Sequence, residues 1–212
     1  MLSKITNWFF KEKFLFLLAT LFLYAMAAPF FEGFMDTGLF MNIMFMVVLL
    51  SAAYTVNNQK KNMLTVIAIT ICCVTFFCLR FFVENEGMLI AEIVFKVLFN
   101  ASMLLIVLRF IFKSHLVSGD TISAALIGYL LLALLWTNLY FLLELIYPNS
   151  FTVSHEIILS DPAAFRYFSF VTITTLGYGD IAPISSQARN MAVIEAFIGQ
   201  FYLAVKIGRA HV

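Results

Sequence analysis

The stretch Thr174-Thr175-Leu176-Gly177-Tyr178-Gly179-Asp180 sets a glycine on each side of one tyrosine, with threonines before and an aspartate after. Glycine admits backbone conformations closed to residues with a Cβ. Alternating such residues with ordinary ones can aim successive carbonyl oxygens to one side, and the Thr175 hydroxyl adds a further oxygen at the inner end. Four chains around one axis would stack these oxygens into rings. Rings of this kind can replace the hydration shell of a dehydrated cation.

Such a loop needs elements that hold it in place. Asp161 followed by Pro162 reads as a helix start, with a carboxylate to cap free N–H groups and a proline in the first turn. From Pro162 to Thr174 there is room for roughly 20 Å of helix at 1.5 Å per residue. That is too short to cross a hydrocarbon core of about 30 Å. The chain is therefore expected to dip in and return, which irregular backbone tolerates only where it lines a water-filled cavity or is buried in protein. The C-terminal end of the short helix, partially negative, favours a cation below it.

Composition supplies the setting. Of 212 residues 63% are hydrophobic and 12% charged, and the mean hydropathy is +0.98. The apolar residues fall in runs at 14–31, 39–56, 62–83, 88–112, 121–147 and 187–207. Runs of this length read as membrane-spanning helices. The first is too long for a signal peptide and is followed at once by another span. A net charge of +1 argues against nucleic acid as a partner.

Charge placement orients the spans. With both ends cytoplasmic and six crossings, the inner side holds Lys4, Lys11, Lys13, Lys60, Lys61, Arg109, Lys113 and Lys206. The outer side holds Arg80, Arg166 and Arg189 with seven acids, among them Asp161 and Asp180. This is the asymmetry of the positive-inside rule, and it puts the glycine-bearing loop outside.

At T-L-G-Y-G-D the chain resembles potassium channels of the P-loop superfamily, bacterial six-transmembrane type, whose filter signature is T-V-G-Y-G. Leu176 stands where valine is usual. The resemblance covers about residues 121–206 and implies potassium ions bound at Thr175, Leu176, Gly177, Tyr178 and Gly179 in a homotetramer. It further implies Arg189 near the start of an inner helix, a gating hinge at Gly199, and Gln200, Leu203 and Ala204 facing the cavity. Tyr167 falls where the family often has a tryptophan behind the filter, so a Tyr167–Asp180 contact is expected as filter support. Phe168 lacks a polar atom to brace Tyr178, and Val171 stands where some bacterial channels carry a buried glutamate.

The fourth run carries Lys96, Arg109 and Lys113 but no cation at every third position, so strong voltage sensing is not expected. It does carry Glu92, Lys96 and Asn100, spaced by four on one helix face. This face is expected to be buried, as a structural ion pair or a modulatory one. Glu195, one turn before Gly199, is the other intramembrane acid: either neutral and packed behind the pore helix, or raising local cation concentration and conferring pH sensitivity.

Other chemistry finds no footing. His115, His155 and His211 lack ligand spacing, and Cys72, Cys73 and Cys78 lie within one apolar run as small hydrophobes. Asn100-Ala-Ser102 fits a glycosylation acceptor only formally, since it lies in a span. No enzyme and no cofactor are expected.

The reading is an all-α membrane protein with six transmembrane helices and a re-entrant pore helix and filter loop between helices 5 and 6. Residues 1–116 form a four-helix domain without a sensor repeat, 117–206 the pore domain. Residues 207–212 (Ile-Gly-Arg-Ala-His-Val) resemble an in-frame reading of a common sequencing adapter, so this tail is suspected to be non-native, which leaves room for a C-terminal regulatory module after about Lys206. The expected function is passive potassium conduction in a bacterial inner membrane, with lipid and three further copies as partners. Alternatives are a weakly selective cation channel, a potassium transporter, or a non-conducting membrane sensor.

Overall fold

Polar side chains decide where the apolar stretches begin. The computed structural model describes residues 13–27, 30, 37–56, 60–80, 85–114, 118–153 and 161–210. Among these, helix α1 runs Lys13–Met26, α2 Thr37–Val56, α3 Lys60–Arg80, α4 Glu86–Lys113, α5 Gly119–Ile146, α6 Pro162–Ile173 and α7 Ser186–Ala210. Asn85 caps α4 by accepting from the Gly87 amide at 2.9 Å, and Ser118 caps α5 through the Thr121 amide. Asp161 caps α6, accepting from the Ala163 amide at 2.8 Å, with Pro162 in the first turn.

The chain is all-helical apart from two strands of three residues, β1 (Phe151–Val153) and β2 (Ile181–Pro183). By length and composition α2, α4 and α5 can cross a membrane, while the apolar stretches of α1 and α3 are shorter. The remainder of the expected first span, beyond Ala27, falls mostly outside the described residues, as do Lys4, Lys11, His115, His155 and His211. The final helix continues through 207–210, the first residues of the suspected adapter segment.

Two clusters make the core. Leu17, Leu21, Phe45, Leu49, Val66, Cys73, Phe99, Met103 and Val107 pack the first four helices against Ile127 and Leu131 of α5. An aromatic cluster of Trp136, Tyr140, Phe141, Phe151, Phe165 and Phe168 joins α5 to β1 and α6. Cross-contacts define the two ends of the bundle. At one, Phe14 stacks 4.4 Å from Phe110, and Tyr202 near the end of α7 donates to the Ala125 carbonyl at 2.7 Å. At the other, Arg166 of α6 donates to the Tyr24 carbonyl at 3.1 Å. Lys13, Arg109 and Lys113 thus share an end, and Asp161 and Arg166 lie at the opposite one.

The strands were not anticipated from sequence. They pair antiparallel, Phe151 with Pro183 and Val153 with Ile181, and so tie the chain before α6 to the chain after the glycine loop. Glu144 accepts from the Asn149 and Ser150 amides at 2.8 and 2.9 Å and anchors the turn leading into β1.

Candidate functional site, an ion-conducting loop

The loop from Thr175 to Gly179 has an alternating backbone. Thr175, Gly177 and Gly179 take φ of 61°, 58° and 81°, whereas Leu176 and Tyr178 do not enter the left-handed region. This alternation is what carbonyls on successive residues need in order to share one side. Thr175 was not foreseen here, because a β-branched residue at positive φ is a genuine outlier. Residues of this kind are held by their surroundings at about 1–3 kcal/mol each, commonly at functional sites.

Hydrogen bonds secure the inner end of the loop. The Val171 carbonyl accepts from the amides of Leu176 at 3.0 Å and Gly177 at 3.4 Å, and the Thr172 carbonyl from Thr175 at 3.0 Å. Among the described residues, none of the carbonyl oxygens of Thr175 to Gly179 accepts a backbone hydrogen bond. In the single chain residues 174–179 are exposed, Leu176 and Tyr178 among them.

Behind the loop, the Tyr167 hydroxyl donates to Asp180 Oδ2 at 2.6 Å. This bond pushes the Tyr167 hydroxyl up to about 12. The Tyr167 and Tyr178 rings stack at 6.5 Å, nearly parallel. Phe168 turns away into the aromatic cluster, 5.0 Å from Tyr140, and Val171 is buried.

The foot of α6 is clamped by both flanking helices. The Ile173 carbonyl, at a helix end where acceptors are left over, takes a hydrogen bond from the Tyr129 hydroxyl of α5 at 2.9 Å. Gly199 of α7 abuts the same residue, since a Cβ there would sit 2.6 Å from Ile173 Cγ1. Helix α7 runs unbroken through Gly199, so in this conformation that glycine is a point of close packing. Gln200, Leu203 and Ala204 are exposed on the single chain, as are Val193, Phe197 and Phe201. Arg189 donates to the Pro183 carbonyl at 3.3 Å.

Two acids lie apart from the loop. Glu92 is buried and pairs with Lys96 at 2.6 Å, which also reaches Asn42 Oδ1 at 3.3 Å. Glu195 is fully buried against Tyr140 and Ser169. The Glu92–Lys96 pair is the one the i,i+4 spacing gave, whereas Asn42 and the two partners of Glu195 come from other helices and could not be read from spacing. No cluster of metal-ligating side chains occurs among the described residues.

A family model described as ion channel matches residues 128–209, which take in most of α5, all of α6 and the loop, and nearly all of α7. Comparisons with curated proteins and with solved structures gave no match. Residues 128–209 of this membrane protein are thus similar to an ion-channel domain.

Proposed function

We propose that four copies of this chain form a potassium-selective channel that passes the ion down its electrochemical gradient. The observation that carries this reading is the alternation of left-handed residues at Thr175, Gly177 and Gly179 with no backbone donor on the loop's carbonyls. Potassium would be held by the carbonyls of Thr175, Leu176, Gly177 and Tyr178, with the Thr175 hydroxyl at the inner end and Gly179 completing the outer turn. Each chain brings one loop, so the rings require a homotetramer. The uncovered faces of Leu176, Tyr178, Val193, Phe197 and Phe201 supply apolar surface for the neighbouring copies.

Tyr167 and Asp180 would brace the filter from behind. The charge asymmetry supports six crossings with both termini cytoplasmic, and the resemblance to bacterial channels supports a bacterial inner membrane. Gating would move α7, with Gln200, Leu203 and Ala204 toward the cavity, and Gly199 would act as the hinge only if its packing on Ile173 is released. Glu92 with Lys96, which reaches Asn42, joins α4 to α2 and is the candidate point of modulation there.

The test is the reversal potential of the purified protein in a planar bilayer, with potassium on one side and sodium on the other. Reversal near the potassium equilibrium potential, abolished by Gly177→Ala, supports the reading. Reversal near zero favours a weakly selective cation pore and directs attention to Leu176 and Phe168. No current from intact tetramers favours a transporter or a non-conducting sensor.

A further inference from the structure

Glu195 sits in mid-helix on α7 with none of its surface exposed. Its carboxyl group meets two other helices. Tyr140 of α5 donates its hydroxyl to Oε2 at 2.6 Å, and the Ser169 hydroxyl of α6 lies 2.5 Å from Oε1. The same Ser169 oxygen lies 2.8 Å from the Ala133 carbonyl of α5.

A serine hydroxyl has one proton, and a carbonyl has none to give. The Ser169 hydroxyl is within donating distance of both Glu195 Oε1 and the Ala133 carbonyl, which also accepts from the Thr137 hydroxyl at 2.9 Å. One proton serves one of them at a time, and when it goes to Ala133 the Glu195 contact is attractive only if Glu195 supplies the hydrogen. The surroundings agree with an acid in its neutral form. Facing it are Tyr140 and Tyr129 from α5 and Ser169 from α6, all uncharged. Charged side chains on the same three helices are engaged elsewhere: Arg166 with Tyr24, Arg189 with Pro183, and Glu144 with Asn149 and Ser150. Asp120 stands at the far start of α5, and Lys206 is about three turns along α7. A carboxylate fully buried with two neutral hydroxyls and no cation beside it is costly, and the neutral acid avoids that cost.

The position gives this group a task. Ser169 is two residues before Val171, whose carbonyl holds the Leu176 and Gly177 amides. The Tyr140 ring packs on Phe168, which cannot itself brace the loop through a polar atom. We propose that Glu195 acts as a neutral carboxylic acid, a positioning residue that joins α5, α6 and α7 and steadies the filter through Ser169. Its effect on conduction rests on the channel reading above, but its protonation state does not.

Infrared difference spectra of the purified full chain at neutral pH, wild type minus Glu195→Gln, test the protonation state without any current. A protonated-carboxyl band present in wild type and missing in the variant supports the proposal, and a carboxylate band in its place overturns it. In bilayers, glutamine can accept from Tyr140 and donate to Ser169, so Glu195→Gln should keep the open time within about twofold of wild type. Glu195→Leu loses both bonds, and Ser169→Ala loses one, so each should shorten open time by about tenfold, the equivalent of ~1.4 kcal/mol. Glutamine failing as leucine does, with both variants still tetrameric, overturns the neutral strut. Raising internal pH should shorten open time in wild type and leave Glu195→Gln unmoved; equal responses overturn the proposal. If wild type carries no current, the channel reading fails and the infrared band alone decides the state of Glu195.

Discussion

Gly199 on the inner helix and Ile173 at the foot of the pore helix are in contact so close that a Cβ on the glycine would lie 2.9 Å from the Ile173 carbonyl oxygen. The two helices meet there because one residue has no side chain. Gly199→Ala should therefore force them apart and destabilise the protein by about 1–3 kcal/mol, as overpacking does. A lower Tm together with altered open time would show it; an unchanged Tm would mean that α7 shifts freely at this point.

The bond between Tyr167 and Asp180 lies at the outer mouth. Tyr167→Phe should leave assembly intact and speed the loss of current during sustained opening, because a hydrogen bond to a charged group, worth about 1.5–3 kcal/mol when shielded and less at this exposed site, is gone. The sign of its pH dependence follows from the raised hydroxyl. The bond's contribution is fully present below the ordinary tyrosine value near 10 and is lost as pH rises through about 12. Inactivation rates of wild type and variant should thus converge only in strong alkali.

Arg166 links the pore helix to the first helix through the Tyr24 carbonyl and the face of the Tyr24 ring, 5.5 Å away. Arg166→Ala should cost about 2 kcal/mol, combining a charged hydrogen bond with a cation–π contact. Arg166→Lys should recover only part of it, since lysine lacks the planar fork. Thermal unfolding of the three proteins in detergent compares them directly.

Glu92 and Lys96 form a buried pair, 2.6 Å apart. Removing either partner alone, by Glu92→Leu or Lys96→Met, should destabilise by about 3–5 kcal/mol, because the other charge is left in an apolar setting. The double variant should return close to wild type. A double-mutant cycle on Tm measures this, and additive losses would rule out the coupling.

Part of this architecture is legible in order along the chain. The apolar runs, the Asp161-Pro162 start of α6, the Glu92–Lys96 spacing and the two glycines of the loop all express rules that act within a few residues. The third left-handed residue, Thr175, is not legible, because no local preference favours it. The amides of Thr175, Leu176 and Gly177 donate to the Thr172 and Val171 carbonyls, and these bonds hold the conformation.

By itself, then, the sequence determined that this is a membrane protein with a short capped helix leading into a glycine-bearing loop, since hydropathy, capping and backbone freedom are properties of neighbours in the chain. Only the tertiary structure decided what stands behind that loop. Tyr140 and Ser169 reach Glu195 across 55 and 26 residues of sequence, the β1–β2 ladder closes the loop's outer side, and Gly199 meets Ile173 helix to helix. Those pairings depend on how three helices pack, and packing is settled by shape complementarity between surfaces that no stretch of sequence contains alone.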